Sequence, residues 1–393
     1  AIGQPDENLG GEFAPGFSLL PKHVSVLTDE LLVGGKQLHD VVFGATRQQG
    51  VWQANVSARE VDGYFSWRDA PPGQPLGKLT ARFTRLEIPP SRRQEIESIL
   101  ETDRTDLPEL DITAEELVLN NHRLGRLELL AGNGSEAGRP AWKLQHLRIA
   151  HPTATLDASG IWTQRSRRDA DPATRMTSLD FKLDLRDSGA LLNDLGIRDA
   201  IRGAAGTIQG RLDWAGSPLA IDYPSLHGRI DVGLGKGQFL KTDPGLAKLI
   251  GVLNLQSLPR RLSLDFRDVF AEGFAFDDIH GDVRVDHGVA YTDDLKMNGV
   301  QARVHLKGEA DLARETQSLD VEVRPHLNAG LASLAYAAVN PVIGLGSFLA
   351  QFMLRAPLEQ AFTYQYRVTG SWADPTVVEK SRPQPLPDRQ PAP

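Results

Sequence analysis

Residues 179–186 read Leu-Asp-Phe-Lys-Leu-Asp-Leu-Arg, with Leu179, Phe181, Leu183 and Leu185 alternating with Asp180, Lys182, Asp184 and Arg186. A period of two sends successive side chains to opposite faces of a strand, so this segment has one aliphatic and one charged face. The same alternation recurs along the chain. Leu262, Leu264 and Phe266 interleave with Ser263, Asp265 and Arg267, and Val283 and Val285 lead through an Asp286-His287-Gly288 turn to Val289 and Tyr291. Ala302, Val304 and Leu306 follow, then Leu319, Val321 and Val323, and finally Phe362, Tyr364, Tyr366 and Val368. Turn residues such as Asn298-Gly299 between these runs predict hairpins.

Helical signals are short. Ser91 with Gln94 forms a capping box opening a helix to Glu101; residues 188–201 have a helical pattern interrupted at Gly196; and Asp243-Pro244 starts a helix over 244–253. These segments lie between blocks of strands, which predicts a mainly β fold. The expected form is a long, twisted antiparallel sheet curled into an open groove of repeated units, with short helical inserts and a helical C-terminal segment.

That last segment lies within Pro325 to Leu354, which holds no Asp, Glu, Lys or Arg. It has the length of a membrane span, roughly 20 residues, but Asn340-Pro341 divides it into two expected helices, 329–339 and 341–354. The tail after Val378 is rich in Pro and is expected to be disordered. The resulting division is a β unit over 1–86, a linker with a short helix over 87–108, a longer β region over 109–378 and a tail over 379–393.

Internal echoes point to repetition. With an offset of 86, Val26 to Phe43 lies over Ile112 to Leu129, matching Glu30 with Glu116, Leu31 with Leu117, Leu38 with Leu124 and Val41 with Leu127. Leu226-His227-Gly228-Arg229-Ile230 echoes Ile279-His280-Gly281-Asp282-Val283, and a Trp-containing turn recurs at residues 212–218 and 370–375, with a looser relative at Trp162. Units that each leave an apolar face uncovered stack to bury it.

Composition excludes several kinds of chemistry. The 393 residues contain no Cys, so thiolate catalysis, Cys-ligated metals and disulfides are absent. With 43 Lys+Arg against 51 Asp+Glu and a net charge of -8, nothing attracts a phosphate backbone globally, and nucleic acid is not an expected partner. The start at Ala1, without a leader pattern, suggests a fragment or processed product.

No catalytic motif emerges. His280 with His287 and His146 with His151 lack zinc-site spacing, and Asp277-Asp278 and Asp293-Asp294 suit hydrogen-bonded turns better than calcium or glycosidase chemistry. Gly233-Leu234-Gly235-Lys236-Gly237 lacks the full phosphate-loop spacing and is expected to be a hairpin turn. No metal, cofactor or enzymatic activity is expected. Periodicity alone fits a closed β-sandwich and an open groove equally well.

The stretch from Leu258, LPRRLSLDFRDVFAEGFAFDDIHGDVRVDHGVAYTDDLKMNG, then GEADLARETQSLDVEVRP, AVNPVIG and YQYRVTGSWADPTV, resembles the C-terminal region of the YhdP family, AsmA-like proteins of the Gram-negative envelope. Upstream, LDI at 110–112, LGRLELLA at 124–131 and the segment 201–218 are similar to the same family. The resemblance implies a periplasmic part of an inner-membrane-anchored protein. Its implied role is non-enzymatic phospholipid transport between inner and outer membranes along a periplasm-spanning hydrophobic groove. The family's anchoring N-terminal helix is expected to be missing from this stretch of sequence.

The implied partners are phospholipid, the inner membrane through that missing anchor, and the outer membrane or one of its proteins near the C-terminus. The expected groove lining is Leu179, Phe181, Leu183, Leu262, Leu264, Phe266, Val283, Val285, Val304, Leu306, Val321, Val323, Phe362, Tyr364 and Tyr366. A lid or membrane contact would come from Leu331, Leu334, Tyr336 and Val339 in the first C-terminal helix and from Pro341, Val342, Ile343, Leu345, Phe348, Leu349, Phe352 and Leu354 in the second. The competing reading is an envelope assembly or scaffolding module that binds protein partners through sheet edges or the Trp turns.

Overall fold

The computed structural model describes residues 22–33, 36–70, 77–88, 107–119, 121–164, 175–218, 221–240, 274–300, 302–326 and 363–380. Strands β1 (His23–Val33), β2 (Lys36–Gln48), β3 (Val51–Ser57), β4 (Val61–Arg68) and β5 (Lys78–Ile88) form an antiparallel meander. β6 (Glu109–Leu119) then lies parallel to β5, with Lys78 opposite Glu109 and Ile88 opposite Leu119. The antiparallel order resumes through β7 (His122–Glu136), β8 (Arg139–His151), β9 (Ala154–Gln164) and β10 (Arg175–Leu185).

After β10 come the short β11 (Ile201–Gly203), then β12 (Gly206–Ala215), β13 (His227–Leu234) and the short β14 (Gly237–Phe239). β12 joins β10 to β13, β11 pairs with β14, and β15 (Phe274–Asp286) receives both β13 and β14. β16 (Val289–Gly299), β17 (Ala302–Asp311), β18 (Thr316–Pro325), β19 (Tyr364–Ser371) and β20 (Pro375–Glu379) complete the sheet. Among the described residues β1 and β20 each pair on one side only, so the sheet is open and does not close into a barrel.

The mainly β expectation holds, with one correction: the sheet is mixed, because β5 and β6 run parallel. A parallel neighbour requires a crossover of a dozen or more residues, and residues 89–108 supply that length. The expected helix over 188–201 is α1, Ser188–Asp194, capped by Asp187, whose carboxylate accepts a 3.0 Å hydrogen bond from the Ala190 N–H. It stops early because Gly196 turns left-handed, at φ 88°, and Ile201 is claimed by β11 opposite Phe239. The expected helices at 91–101, 244–253 and 329–354 lie outside the described residues, as does the tail.

Two turn expectations also change. Gly235-Lys236 is no hairpin: β13 and β14 run on in one direction against the same strand, with Leu234 opposite Ile279 and Gly237 opposite Phe276. His287-Gly288 is a two-residue turn that pairs Asp286 with Val289, and paired residues share a face. Val289 and Tyr291 therefore join Asp286 on the polar side, where Tyr291 lies 5.5 Å from the Arg284 guanidinium, and Ala290 takes the apolar place.

The echoes have a structural counterpart. Val26 pairs with Phe43 in the β1–β2 hairpin as Ile112 pairs with Leu129 in the β6–β7 hairpin, both members shifted by the same 86 residues. Gly228 and Gly281, the glycines of the second echo, have φ of 151° and 156°. A Cβ on them would sit 2.1 Å from the Arg211 carbonyl oxygen and 2.5 Å from that of Asp294, so only glycine admits the neighbouring strand. Replacing Gly228 or Gly281 by Ala should destabilise the protein by about 2 kcal/mol or more. A lowered urea midpoint checks this, with Gly138→Ala at an open turn position as the milder comparison.

Candidate functional site

Register carries the two faces of residues 179–186 across the sheet. Leu179 lies opposite Gly160 and Leu212, Phe181 opposite Ala158 and Gly210, and Leu183 opposite Leu156 and Ile208. From there the apolar side passes to Ile230 and Val232 on β13, then to Val283 and Gly281 on β15. It continues through Met297, Val304 and Val323 to Tyr364, and through Leu295, Leu306 and Val321 to Tyr366. Towards the N-terminus it runs through Leu147, Leu129 and Ile112 to Ala81, Phe65, Ala54 and Ala45. One side of the sheet is thus apolar from β2 to β19.

The expected lining residues that fall within the described chain all share this side. Val285, Val304, Val321, Val323, Tyr364 and Tyr366 are buried, whereas Leu179, Phe181, Leu183, Val283 and Leu306 are half-buried. Val304 and Val323 belong to a packed cluster with Phe274, Phe276 and Met297, while the half-buried group marks the more accessible stretch on β10 and neighbouring strands. Leu262, Leu264, Phe266 and Phe362, and every expected lid residue from Leu331 to Leu354, lie outside the described residues.

Sequence reading missed the N-terminal continuation of this face, including Phe65, Phe83 and the cluster of Ala114, Leu117 and Leu127. The signal was present but broken by β-bulges, each of which inserts a residue and reverses the parity. The bulges fall between Ala114 and Leu117 and between Leu144 and Leu147. The acidic pairs Asp277-Asp278 and Asp293-Asp294 also sit at such irregularities. There Asp278 accepts from the Asn298 amide at 2.9 Å and meets His280 at 2.7 Å, and Asp294 pairs with Lys296.

Trp162, near the end of β9, and Trp214, near the end of β12, lie towards one end of the face. Both indoles flank Thr177 in register, Trp162 Nε1 donates to the Gly216 carbonyl at 2.9 Å and Trp214 Nε1 to that of Ser217 at 2.8 Å. Trp214 is 1% exposed and its one ring donor is satisfied, so its burial leaves no orphaned polar atom. The turn at 370–375 differs: Trp372 is 41% exposed, because Gly370 pairs directly with Pro375 and leaves Trp372 at the hairpin tip.

The opposite side is a charged lattice. Asp320 is held by Lys380 at 2.7 Å and Arg367 at 3.1 Å, and Asp184 by Lys182 at 2.9 Å and the Thr207 hydroxyl at 2.8 Å. A depression of about 630 Å³ crosses this side, lined by Asp157, Asp180 and Asp231 and by Lys182, Arg211 and Arg229. Balanced charges with cross-strand partners, such as Arg211 with Asp180 at 3.4 Å, make it a solvated back of the sheet.

Several carboxyls here lie below their ordinary range. The Lys182 ammonium does this for Asp184, the Asn298 amide for Asp278, the Lys296 ammonium for Asp294 and the Lys380 ammonium for Asp320. At Glu60 burial pushes upward, but bonds from the His39 N–H at 3.0 Å and ring at 2.6 Å outweigh it and lower the value. A lowered folded-state value contributes stability above the unfolded carboxylate value that is lost as pH falls through the folded one. The melting temperature should therefore hold from neutral pH to the upper edge of the carboxylate range and drop below about pH 4. Asp278→Asn should flatten that drop in a pH series of thermal melts.

An open sheet with one continuous apolar side defines a class of protein that offers a long hydrophobic surface and no assembled catalytic group among the described residues. The family model described as YhdP protein matches residues 7–377, and the chain belongs to the YhdP family. It is 26% identical over 383 residues to the intermembrane phospholipid transporter YhdP of Escherichia coli strain K12, covering 94% of this chain and 29% of that relative. The chain thus spans less than a third of the relative's length. No solved structure matches.

Proposed function

We propose that the apolar side of the sheet carries the acyl chains of phospholipids as part of a hydrophobic groove between the inner and outer membranes, without a covalent step. The observation that supports this most directly is the unbroken apolar register from β2 to β19. Each methylene taken from water into such a surface gains about 0.8 kcal/mol, so a dozen contribute on the order of 10 kcal/mol while the headgroup keeps its water at the rim. The match to a transporter named for intermembrane phospholipid transport points the same way.

In this reading the chain is the C-terminal part of the groove and works in the periplasm. No helix among the described residues is long and apolar enough to cross a membrane. Residues 329–354 act at the groove's end as a lid or membrane contact, and the terminal opening faces the outer membrane or one of its proteins.

The half-buried positions Phe181 and Leu183 report on occupancy better than Val304, which is already sealed at 2% exposed. Photo-crosslinkers at Phe181 and Leu183 in living Gram-negative cells should yield phospholipid adducts, and crosslinkers at Asp180 and Lys182 should yield few. Protein adducts alone at all four positions would support the scaffolding alternative and overturn the transport reading.

A further inference from the structure

His227 and Asp286 face one another in the register of β13 and β15, one step beyond the Gly228–Val285 pair, and His287 follows in the turn to β16. Asp286 Oδ1 lies 2.8 Å from His227 Nδ1 and 3.0 Å from His287 Nδ1. The two imidazoles meet edge to face with centroids 4.4 Å apart, and the ligating atoms of all three residues fall within 4.8 Å of one another.

The local backbone holds this arrangement. The Gly288 N–H donates to the Leu226 carbonyl at 3.0 Å, tying the turn that carries His287 to the residue preceding His227. Gly288 is buried against the 3₁₀ turn Tyr223–Ser225, where a Cβ would come 2.2 Å from the Tyr223 carbonyl oxygen. Leu226 and Val285, both 3% exposed, pack together with Trp214 immediately behind. On the other flank Asp213, opposite His227 in β12, is drawn away by the Ser178 hydroxyl and by Arg211 at 3.7 Å.

We propose that His227, Asp286 and His287 form a binding site for a divalent transition-metal ion. Two imidazoles and one carboxylate suit zinc, with water completing the tetrahedron. Bound there, the ion staples the start of β13 to the β15–β16 turn, beside the buried Trp214 cluster towards one end of the apolar face.

The test is isothermal titration calorimetry of Zn²⁺ into the chelator-treated 393-residue chain. One equivalent should bind, and His227→Ala and His287→Ala should each weaken binding by roughly tenfold or more. Asp286→Asn retains an acceptor for both imidazoles, so it should keep the metal-free melting temperature while losing affinity. His280→Ala should leave binding unchanged, since His280 pairs with Asp278 instead. Absence of zinc-dependent heat, or affinity that survives the double variant His227→Ala/His287→Ala, would overturn the proposal.

Discussion

The constraint on which the structure depends is strand parity. In an extended chain each side chain points to the face opposite its neighbour's, and in a paired ladder it points to the same face as its partner. Once Leu179, Phe181 and Leu183 fix the apolar side of β10, register assigns every neighbouring strand in turn. The result is a sheet sorted into hydrocarbon and charge without a second layer being required to explain the sorting. A slip of one residue at any hairpin would carry all later strands onto the wrong side.

Three local devices keep parity correct over so many strands. Two-residue turns such as His287-Gly288 preserve it across a hairpin, β-bulges such as Asp293-Asp294 reset it within a strand, and glycines such as Gly228 and Gly281 admit a neighbouring strand where a Cβ would strike its carbonyl. The charged side contributes pairing specificity. Asp320 with Arg367 and Lys380, and Asp184 with Thr207 opposite it on β12, favour one register, though exposed contacts of this kind add little stability individually.

Much of this was legible in the sequence. The run Tyr364, Tyr366 and Val368 alternates with Gln365 and Arg367, and their burial alternates in step. The paired hairpins were visible as the 86-residue echo, because both members of each facing pair recur together. Other features could not be seen there. The parallel joint of β5 with β6 depends on the direction in which a crossover returns, which strand periodicity does not encode. Tyr291 changed sides because turn length, and not alternation, sets parity across a hairpin. His227 and His287 are brought together only by the pairing of β13 with β15, and no local spacing marks them.

The central claim is that acyl chains contact one parity of residues and not the other. The most direct measurement places a fluorophore at each residue of 178–185 in turn and records quenching by phospholipid carrying a nitroxide on its acyl chain. The account predicts quenching with a period of two, in phase with Leu179, Phe181, Leu183 and Leu185. Uniform quenching, or quenching in phase with Asp180, Lys182 and Asp184, would contradict it.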